Sequence, residues 1–327
     1  MKPGLRLSDG LGVNSVPTDR LRAAVIGVGH LGRHHARILN TLEGVELVAV
    51  VDTNSERAAA ASATTGAPAL ADFRDVLDGK VDAVSIAVPT ELHRDIALPF
   101  LERGIAALVE KPIARSLSEA DELVSAARAS GAVLAVGQTE RYNPAVAAVL
   151  PLVTSPRFIE VHRLGAFPDR SLDIDVVFDL MIHDLDIILA LVRSDVQSIE
   201  AVGVPVLTSK YDIANARLRF ASGCIANVTA SRISKERVRK IRFFQPDAYI
   251  SIDYAAQEVE GWRLVRRDGG RPSIEGGSLP VERDEPLRRE IADFIRAVRS
   301  KTSPLVDGVA GRRALELATR VAEKMES

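Results

Sequence analysis

The hexapeptide GVGHLG, Gly27 to Gly32, limits the folds open to this chain more than any other stretch. Its three glycines, Gly27, Gly29 and Gly32, keep the G-x-G-x-x-G spacing, which is weak evidence on its own. Here it follows the apolar run RAAVIGV, a buried-strand signal, and opens the helical stretch HLGRHHARILNTL. In that context the three glycines act differently. The first makes the turn, the second admits a pyrophosphate, and the third lets helix and strand pack closely. His30 and Leu31 lie inside the loop, where their backbone amides matter more than their side chains. The helix N-terminus offers free amides and a dipole that favour phosphate. Asp52 ends the next strand signal, VELVAVVD, 20 residues beyond Gly32 (52 − 32), where a carboxylate meets the adenosine ribose hydroxyls. Asp52 repels a 2′-phosphate, and the adjoining Thr53 and Asn54 carry no cation to offset it. The cofactor expected is therefore NAD; Arg57 is the one nearby cation that leaves NADP open.

Apolar strand runs alternate with helices as far as AVLAVGQ, the pattern of a parallel sheet covered on both faces. After RYNPAV the texture changes to longer strands with polar alternation, among them RFIEVHRLG, VQSIEAVGVPVL, RKIRFFQPDAYISIDYAAQ and GWRLVRR. FASG reads as a hairpin inside IANARLRFASGCIANVTASRIS, which indicates a mostly antiparallel sheet. The fold class expected is α/β: a doubly wound parallel sheet followed by an α+β domain with a large antiparallel sheet. The domains expected are a flexible extension at 1–20, a dinucleotide-binding domain at 21–143 and a substrate-binding and oligomerisation domain at 144–327.

One segment of the second half resists a purely structural reading. FDLMIHDLD, Phe178 to Asp186, is apolar over most of its girth yet carries Asp179, His183 and Asp186. At about 100° per residue these fall, with Asp175, on one narrow stripe, and Asp184 lies on the far side. Such a stripe either meets water or lines a cleft. A second polar group, Lys111 of AALVEKP, ends a strand signal on the side of the sheet where doubly wound folds bind ligands.

The motifs GVGHLG, VVDTN, AVPTELH, VEKPIARSLSEADEL, GQTERYNPA and DLMIHDLD occur in this order from about Arg22 onward. Together they resemble the Gfo/Idh/MocA family of NAD(P)-dependent oxidoreductases. The resemblance implies a Rossmann domain followed by a sheet domain whose outer face commonly builds oligomers. Matching the family's E-K-P motif implies Lys111 as a catalytic residue, and matching its D-x-G-x-H-x-x-D helix implies Asp179, His183 and Asp186. Met181 replaces the usual glycine, which suggests a narrower pocket beside His183. The same matching places Ala87, Val88, Pro89 and His93 along the cofactor and Glu110 and Gln138 near the nicotinamide ribose. His183 is then the expected base, with a ring pKa of about 6.5 suited to neutral pH. Asp179 is its expected partner and Lys111 the group that holds the reacting oxygen, although Lys111 could equally take the proton.

RLGAFPDRSLDIDVVFDLMIHDLDIIL and NVTASRISKERVRKIRFFQ also resemble a bacterial subgroup of the family acting on UDP-N-acetylglucosamine. That resemblance implies oxidation of the 3-hydroxyl to a 3-keto sugar nucleotide, which a partner aminotransferase converts to a 3-amino sugar for lipid A. A diphosphate needs cations, and Arg163 and Arg232 are the preferred candidates, ahead of the run Lys235 to Arg242. Arg141 and Tyr142 at the domain junction either line the cleft or pin the interdomain packing. Two other readings stay open: a dehydrogenase of a free sugar or polyol, and a cofactor-sensing regulator of the same fold. A net charge of −2 and a pI near 6.3 favour neither nucleic acid nor an anionic membrane as partner. No apolar run approaches the ~20 residues of a spanning helix. The opening MKPGLRLSDGLGVNSVPTDR lacks a secretory apolar core, so a cytoplasmic location is expected. The single cysteine, Cys224, excludes an internal disulfide, the six histidines show no metal-ligand spacing, and Cys224 and Trp262 read as packing residues.

Overall fold

The computed structural model describes residues 20–167, 174–266 and 271–325. The expected extension at 1–20 therefore lies, except for Arg20, outside the described residues.

Six short apolar runs build the first sheet: β1 (Leu21–Ile26), β2 (Val45–Val51), β3 (Ala69–Leu70), β4 (Ala83–Ile86), β5 (Ala106–Glu110) and β6 (Leu134–Gly137). All pair in parallel, in the order β3-β2-β1-β4-β5-β6. Four helices, α1 (Gly32–Thr41), α2 (Ser55–Thr65), α3 (His93–Glu102) and α4 (Leu117–Ser130), make the crossovers. Local chemistry sets their ends: the Asn54 side chain accepts from the Arg57 amide, the Ser116 hydroxyl from the Glu119 amide, and Gly66 and Gly131 close α2 and α4 in the left-handed region. Chain order reverses between β1 and β4, so the carboxyl ends of those strands open onto a crevice.

After α5 (Pro144–Val149) comes β7 (Phe158–Leu164), then a π-helical turn at Val177–Met181 that runs into α6 (Ile182–Val192). The strands β8 (Val196–Val204), β9 (Ile213–Phe220), β10 (Ile225–Ser231), β11 (Val238–Phe244), β12 (Ala248–Asp253), β13 (Glu258–Val265) and β14 (Ser273–Leu279) complete an eight-stranded sheet. Its order is β14-β13-β12-β11-β7-β10-β9-β8, antiparallel except where β7 and β10 run side by side. The expected hairpin is present between β9 and β10. The inner face packs on α6, whose apolar residues Ile182, Leu185, Ile187 and Ile188 are fully buried.

The closing helices do not stay with the second domain, where a boundary at 143/144 would put them. Helix α7 (Pro286–Ser300) buries Ile291, Phe294 and Ile295 against the core of β1, β2 and α1. Helix α8 (Gly308–Met325) crosses the junction. A Cβ at Gly308 or Gly311 would sit 2.5 Å from Leu134 or Val136, so these glycines let α8 lie against β6. Further along, Leu315 joins the first core, and Leu317, Ala318 and Val321 join the second. β3 and β14 have no clear strand signal: one is two residues long, and the other contains Gly276 and Gly277.

Candidate active site

The glycine loop has the shape its spacing predicts. Gly27 has φ +81°, and a Cβ there would lie 2.6 Å from the Ala87 carbonyl oxygen. A Cβ on Gly32 would lie 1.7 Å from the Gly27 oxygen, so only glycine allows α1 to start so close to β1. Gly29 differs, because its Cβ would meet no atom nearer than the Arg57 guanidinium at 4.0 Å. Protein packing does not require that glycine; a pyrophosphate approaching the loop does. Asp52 accepts the Val28 amide at 3.0 Å on one oxygen and the Asn54 amide at 2.9 Å on the other. Its carboxylate is thereby fixed at the rim, where ribose hydroxyls can reach the remaining lone pairs. These features fit a dinucleotide.

The wall facing the expected nicotinamide is made by Ala87–Pro89 after β4 and by Lys111 after β5. His93, expected along the cofactor, is buried beneath this wall instead. Its Nδ1 lies 2.8 Å from the Pro112 oxygen and its Nε2 3.0 Å from the Val88 oxygen, so the ring ties the two loops together. Burial pushes its pKa down. Glu110 and Gln138 are also buried, and the Gln138 Oε1 has no hydrogen-bond partner. Glu110 accepts the Lys111 amide at 3.2 Å and lies 3.0 Å from Nε2 of His35, whose Nδ1 is 2.7 Å from the Ser85 hydroxyl. Burial pushes the Glu110 carboxyl up, but His35 and Lys111 outweigh it and hold the group below the usual carboxylate range. Glu290 of α7 shares this interior. Burial and the charge of Glu110 push it far up, so its carboxyl is held neutral.

Lys111, Asp179 and His183 come together across the two domains, in a different pairing from the one the helix stripe suggests. The Lys111 ammonium donates to the Asp179 main-chain oxygen at 2.6 Å and to its carboxylate at 3.1 Å. Asp179 thus partners Lys111, not His183. Two causes act: the π-helical turn at Val177–Met181 breaks the 3.6-residue periodicity on which the stripe rests, and a cation from the other domain claims the carboxylate. His183 is half-buried, with Nδ1 buried and unpartnered. Burial, then the charges of Lys111, Arg163 and Arg239, push its pKa well below 6.5, so the imidazole is neutral at physiological pH.

Helix α6 is held by ion pairs that take up the other predicted substrate ligands. Arg163 of β7 donates to Asp184 at 2.6 and 3.0 Å and to Glu140 at 3.0 Å. Arg141 reaches both oxygens of Asp186 at 3.2 Å, and burial pushes that carboxyl up to about 6 in spite of the guanidinium. Tyr142 donates to Asp293 at 3.0 Å. Arg141 and Tyr142 therefore pin the junction and do not line the cleft.

Arg232 is likewise internal. It donates to Asp212 at 2.9 Å, to the Ile174 oxygen at 2.7 Å and to the Thr208 hydroxyl at 3.2 Å. Asp212 also accepts the amides of Val206, Leu207 and Thr208. From this knot Tyr211 donates its amide to the Asp175 carboxylate at 2.9 Å, and the Asp175 oxygen accepts the Asp179 amide at 3.1 Å. Arg232 thus supports the backbone that carries Asp179. Neither Arg163 nor Arg232 has the free guanidinium that a diphosphate contact requires, since carboxylates occupy both.

Residues 21–138 match the family model described as an oxidoreductase family with an NAD-binding Rossmann fold, and residues 156–250 match the Gfo/Idh/MocA C-terminal domain. The chain belongs to the Gfo/Idh/MocA oxidoreductase family. It is 38% identical over 309 residues to a UDP-N-acetylglucosamine 3-dehydrogenase of Acidithiobacillus ferrooxidans, an alignment covering 94% of this chain and 98% of that protein. It is 34% identical over 193 residues to an inositol 2-dehydrogenase of Arthrobacter sp. (strain FB24), covering 56% and 57% of the two chains. A solved structure of the Acidithiobacillus ferrooxidans enzyme superposes with a TM-score of 0.87, at 37% identity over 94% of this chain and 98% of that one.

Within the family pattern, the departure at Met181 does not narrow a pocket. Met181 is fully buried in the second core, behind the face that carries His183. His35, which no motif of the sequence singles out, belongs to the buried chain under Lys111. The available signal was its position on the apolar face of α1, shared with Gly32, Ala36 and Leu39.

Proposed function

We propose that this NAD-dependent dehydrogenase oxidises the 3-hydroxyl of a UDP-N-acetylglucosamine-type sugar nucleotide to the 3-keto product. The observation that carries the reading is the meeting of Lys111 with Asp179 beside a neutral His183, at the carboxyl end of β5. The likeness to the Acidithiobacillus ferrooxidans enzyme, over nearly the full length of both chains, supports the sugar nucleotide over a free polyol.

In this mechanism Lys111 donates to the reacting oxygen and stabilises alkoxide charge as it develops. His183, held neutral, takes the hydroxyl proton at Nε2, the ring nitrogen left open when Nδ1 is buried. Asp179 orients the Lys111 ammonium and offsets its charge. When bound, NAD would supply the hydride acceptor for the carbon that becomes the ketone. Gly29 and the α1 N-terminus would hold the pyrophosphate and Asp52 the adenosine ribose, which favours NAD over NADP. The enzyme works in the cytoplasm, and a 3-keto sugar nucleotide is a substrate for an aminotransferase of the kind that leads to lipid A amino sugars.

The enzyme assembles as a homo-oligomer through the outer face of its large sheet. A row of rings crosses that face, with Phe158 and Phe244 5.5 Å apart and Phe244 and Tyr249 5.2 Å apart. It ends at Trp262, paired with Tyr249 and 42% exposed, where a packing role would leave it buried. Such a row suits a protein interface. Light scattering of the purified enzyme tests the assembly.

A substrate panel tests the reaction. NADH formation with UDP-N-acetylglucosamine, and a kcat/KM at least about 100-fold above that for N-acetylglucosamine or myo-inositol, is the expected result. Turnover confined to free sugars would overturn the reading, and NAD binding without turnover on any sugar would point to a sensor.

A further inference from the structure

We propose that Arg239 is the anion ligand of the cleft and receives the diphosphate of the nucleotide-linked substrate; the assignment rests on the sugar-nucleotide reading and sharpens it. The basic run Lys235 to Arg242 is divided by the pleat of β11. Side chains alternate between faces along a strand. Lys240 and Arg242 point outward, where Lys240 lies 3.3 Å from Asp253 and Arg242 2.7 Å from Glu160. Arg239 points the other way, on the same face as the buried Ile241 and Phe243.

Its place on that face follows from the register. Arg239 pairs with Arg163 across the β11–β7 ladder, so the two side chains start about 5 Å apart on one face. Arg163 is held by Asp184, the neighbour of His183 in sequence. Arg239 therefore stands near the start of β11, on the face of the Arg163–Asp184 pair and close enough to His183 that its charge helps lower the His183 pKa.

The charges around this point do not balance. Lys111 is matched by Asp179, and Arg163 by Asp184 and Glu140. Arg239 is exposed and, among the described residues, its guanidinium has neither ion pair nor hydrogen bond. An uncompensated guanidinium beside the reacting groups favours an anionic substrate over a neutral sugar, and its fork suits two phosphate oxygens. The contact replaces the one expected of Arg163 and Arg232.

UDP titrated into the NAD-loaded enzyme, followed by calorimetry, tests the assignment. Arg239→Met should weaken UDP binding at least about tenfold, the size expected for loss of a charge-assisted contact. Arg239→Lys should retain part of it, NAD affinity should not change, and Arg242→Met on the outer face should bind UDP as wild type does. In turnover, Arg239→Met should raise the KM for UDP-N-acetylglucosamine by a similar factor. Equal UDP affinity in wild type and Arg239→Met, or no UDP binding by wild type, overturns the proposal. If UDP binding depends on Arg239 but UDP-N-acetylglucosamine is not oxidised, the substrate reading fails and the anion site stands. If UDP-N-acetylglucosamine is oxidised with the same KM in Arg239→Met, the substrate reading stands and this assignment fails.

Discussion

The Lys111 ammonium lies 2.6 Å from the main-chain oxygen of Asp179 and 3.1 Å from its carboxylate. The bond joins a loop of the nucleotide domain to the π-helical turn of the sheet domain, so the Lys111 ammonium is aimed by the other half of the protein. Asp179 in turn hangs from Asp175, and Asp175 from the Asp212–Arg232 knot. Errors of about 1 Å in such an arrangement cost about 10²-fold in rate.

Asp179→Ala should therefore lower kcat by about 10²-fold, while the affinity for NAD, which the glycine loop and Asp52 would hold, stays unchanged. Asp179→Asn keeps an acceptor for Lys111 and should recover part of the loss. Steady-state rates with fluorescence titration of the cofactor check both variants; a parallel loss of NAD affinity would contradict the assignment.

The pH profile follows from His183. A histidine with a depressed pKa stays neutral, and so able to accept a proton, down to a pH well below 6.5. The acid limb of kcat/KM should therefore fall below pH 6.5, and His183→Ala should abolish that limb along with about 10²–10⁴-fold of the rate. An acid limb at or above 6.5 that survives His183→Ala would remove His183 from the chemistry.

Cofactor choice rests on Asp52. Asp52→Ala should raise kcat/KM with NADP relative to NAD by about tenfold or more, because a repulsive charge leaves and Arg57 already lies over Gly29. The same change removes the acceptor for the Val28 and Asn54 amides, so a lower Tm should accompany it. Initial rates with both cofactors and a thermal melt check the pair of effects.

Glu290 makes a prediction about stability. Its folded pKa is raised, so the folded state holds a proton that the unfolded chain releases above about pH 4.3. The penalty grows as pH rises from there towards the folded pKa, at up to about 1.4 kcal/mol per pH unit. Glu290→Gln replaces a neutral acid with a neutral amide of the same shape and removes that penalty. Melting curves at pH 5 and pH 8 should show the variant gaining on wild type at the higher pH; a constant or shrinking difference would contradict a neutral Glu290.

How far the sequence could be read depended on how local each interaction is. The glycine loop and Asp52 were legible because turn, helix start and ribose carboxylate lie within one strand–helix–strand unit. The second sheet was legible wherever polar and apolar residues alternate, and was missed at β14, where Gly276 and Gly277 leave no side chains to alternate. Arg163 and Arg232 resembled phosphate ligands because their carboxylate partners, Asp184 and Asp212, lie 21 and 20 residues away on other elements. The stripe through Asp179 and His183 assumed a uniform helix. The π-helical turn changed its phase, and the partner that decides the role of Asp179 comes from Lys111, 68 residues earlier. Met181, which promised a specificity role, is core; Arg239, passed over within a basic run, shares the inner face of β11 with Ile241 and Phe243.

The most direct test of the proposed chemistry is a crystal structure of the Lys111→Met enzyme with NAD and UDP-N-acetylglucosamine bound, a variant expected to bind both and to turn over slowly. The prediction is a 3-hydroxyl within about 3 Å of the His183 ring, with the C3 hydrogen facing the nicotinamide. A complex that presents a different hydroxyl to the nicotinamide, or places the sugar out of reach of His183, would contradict it.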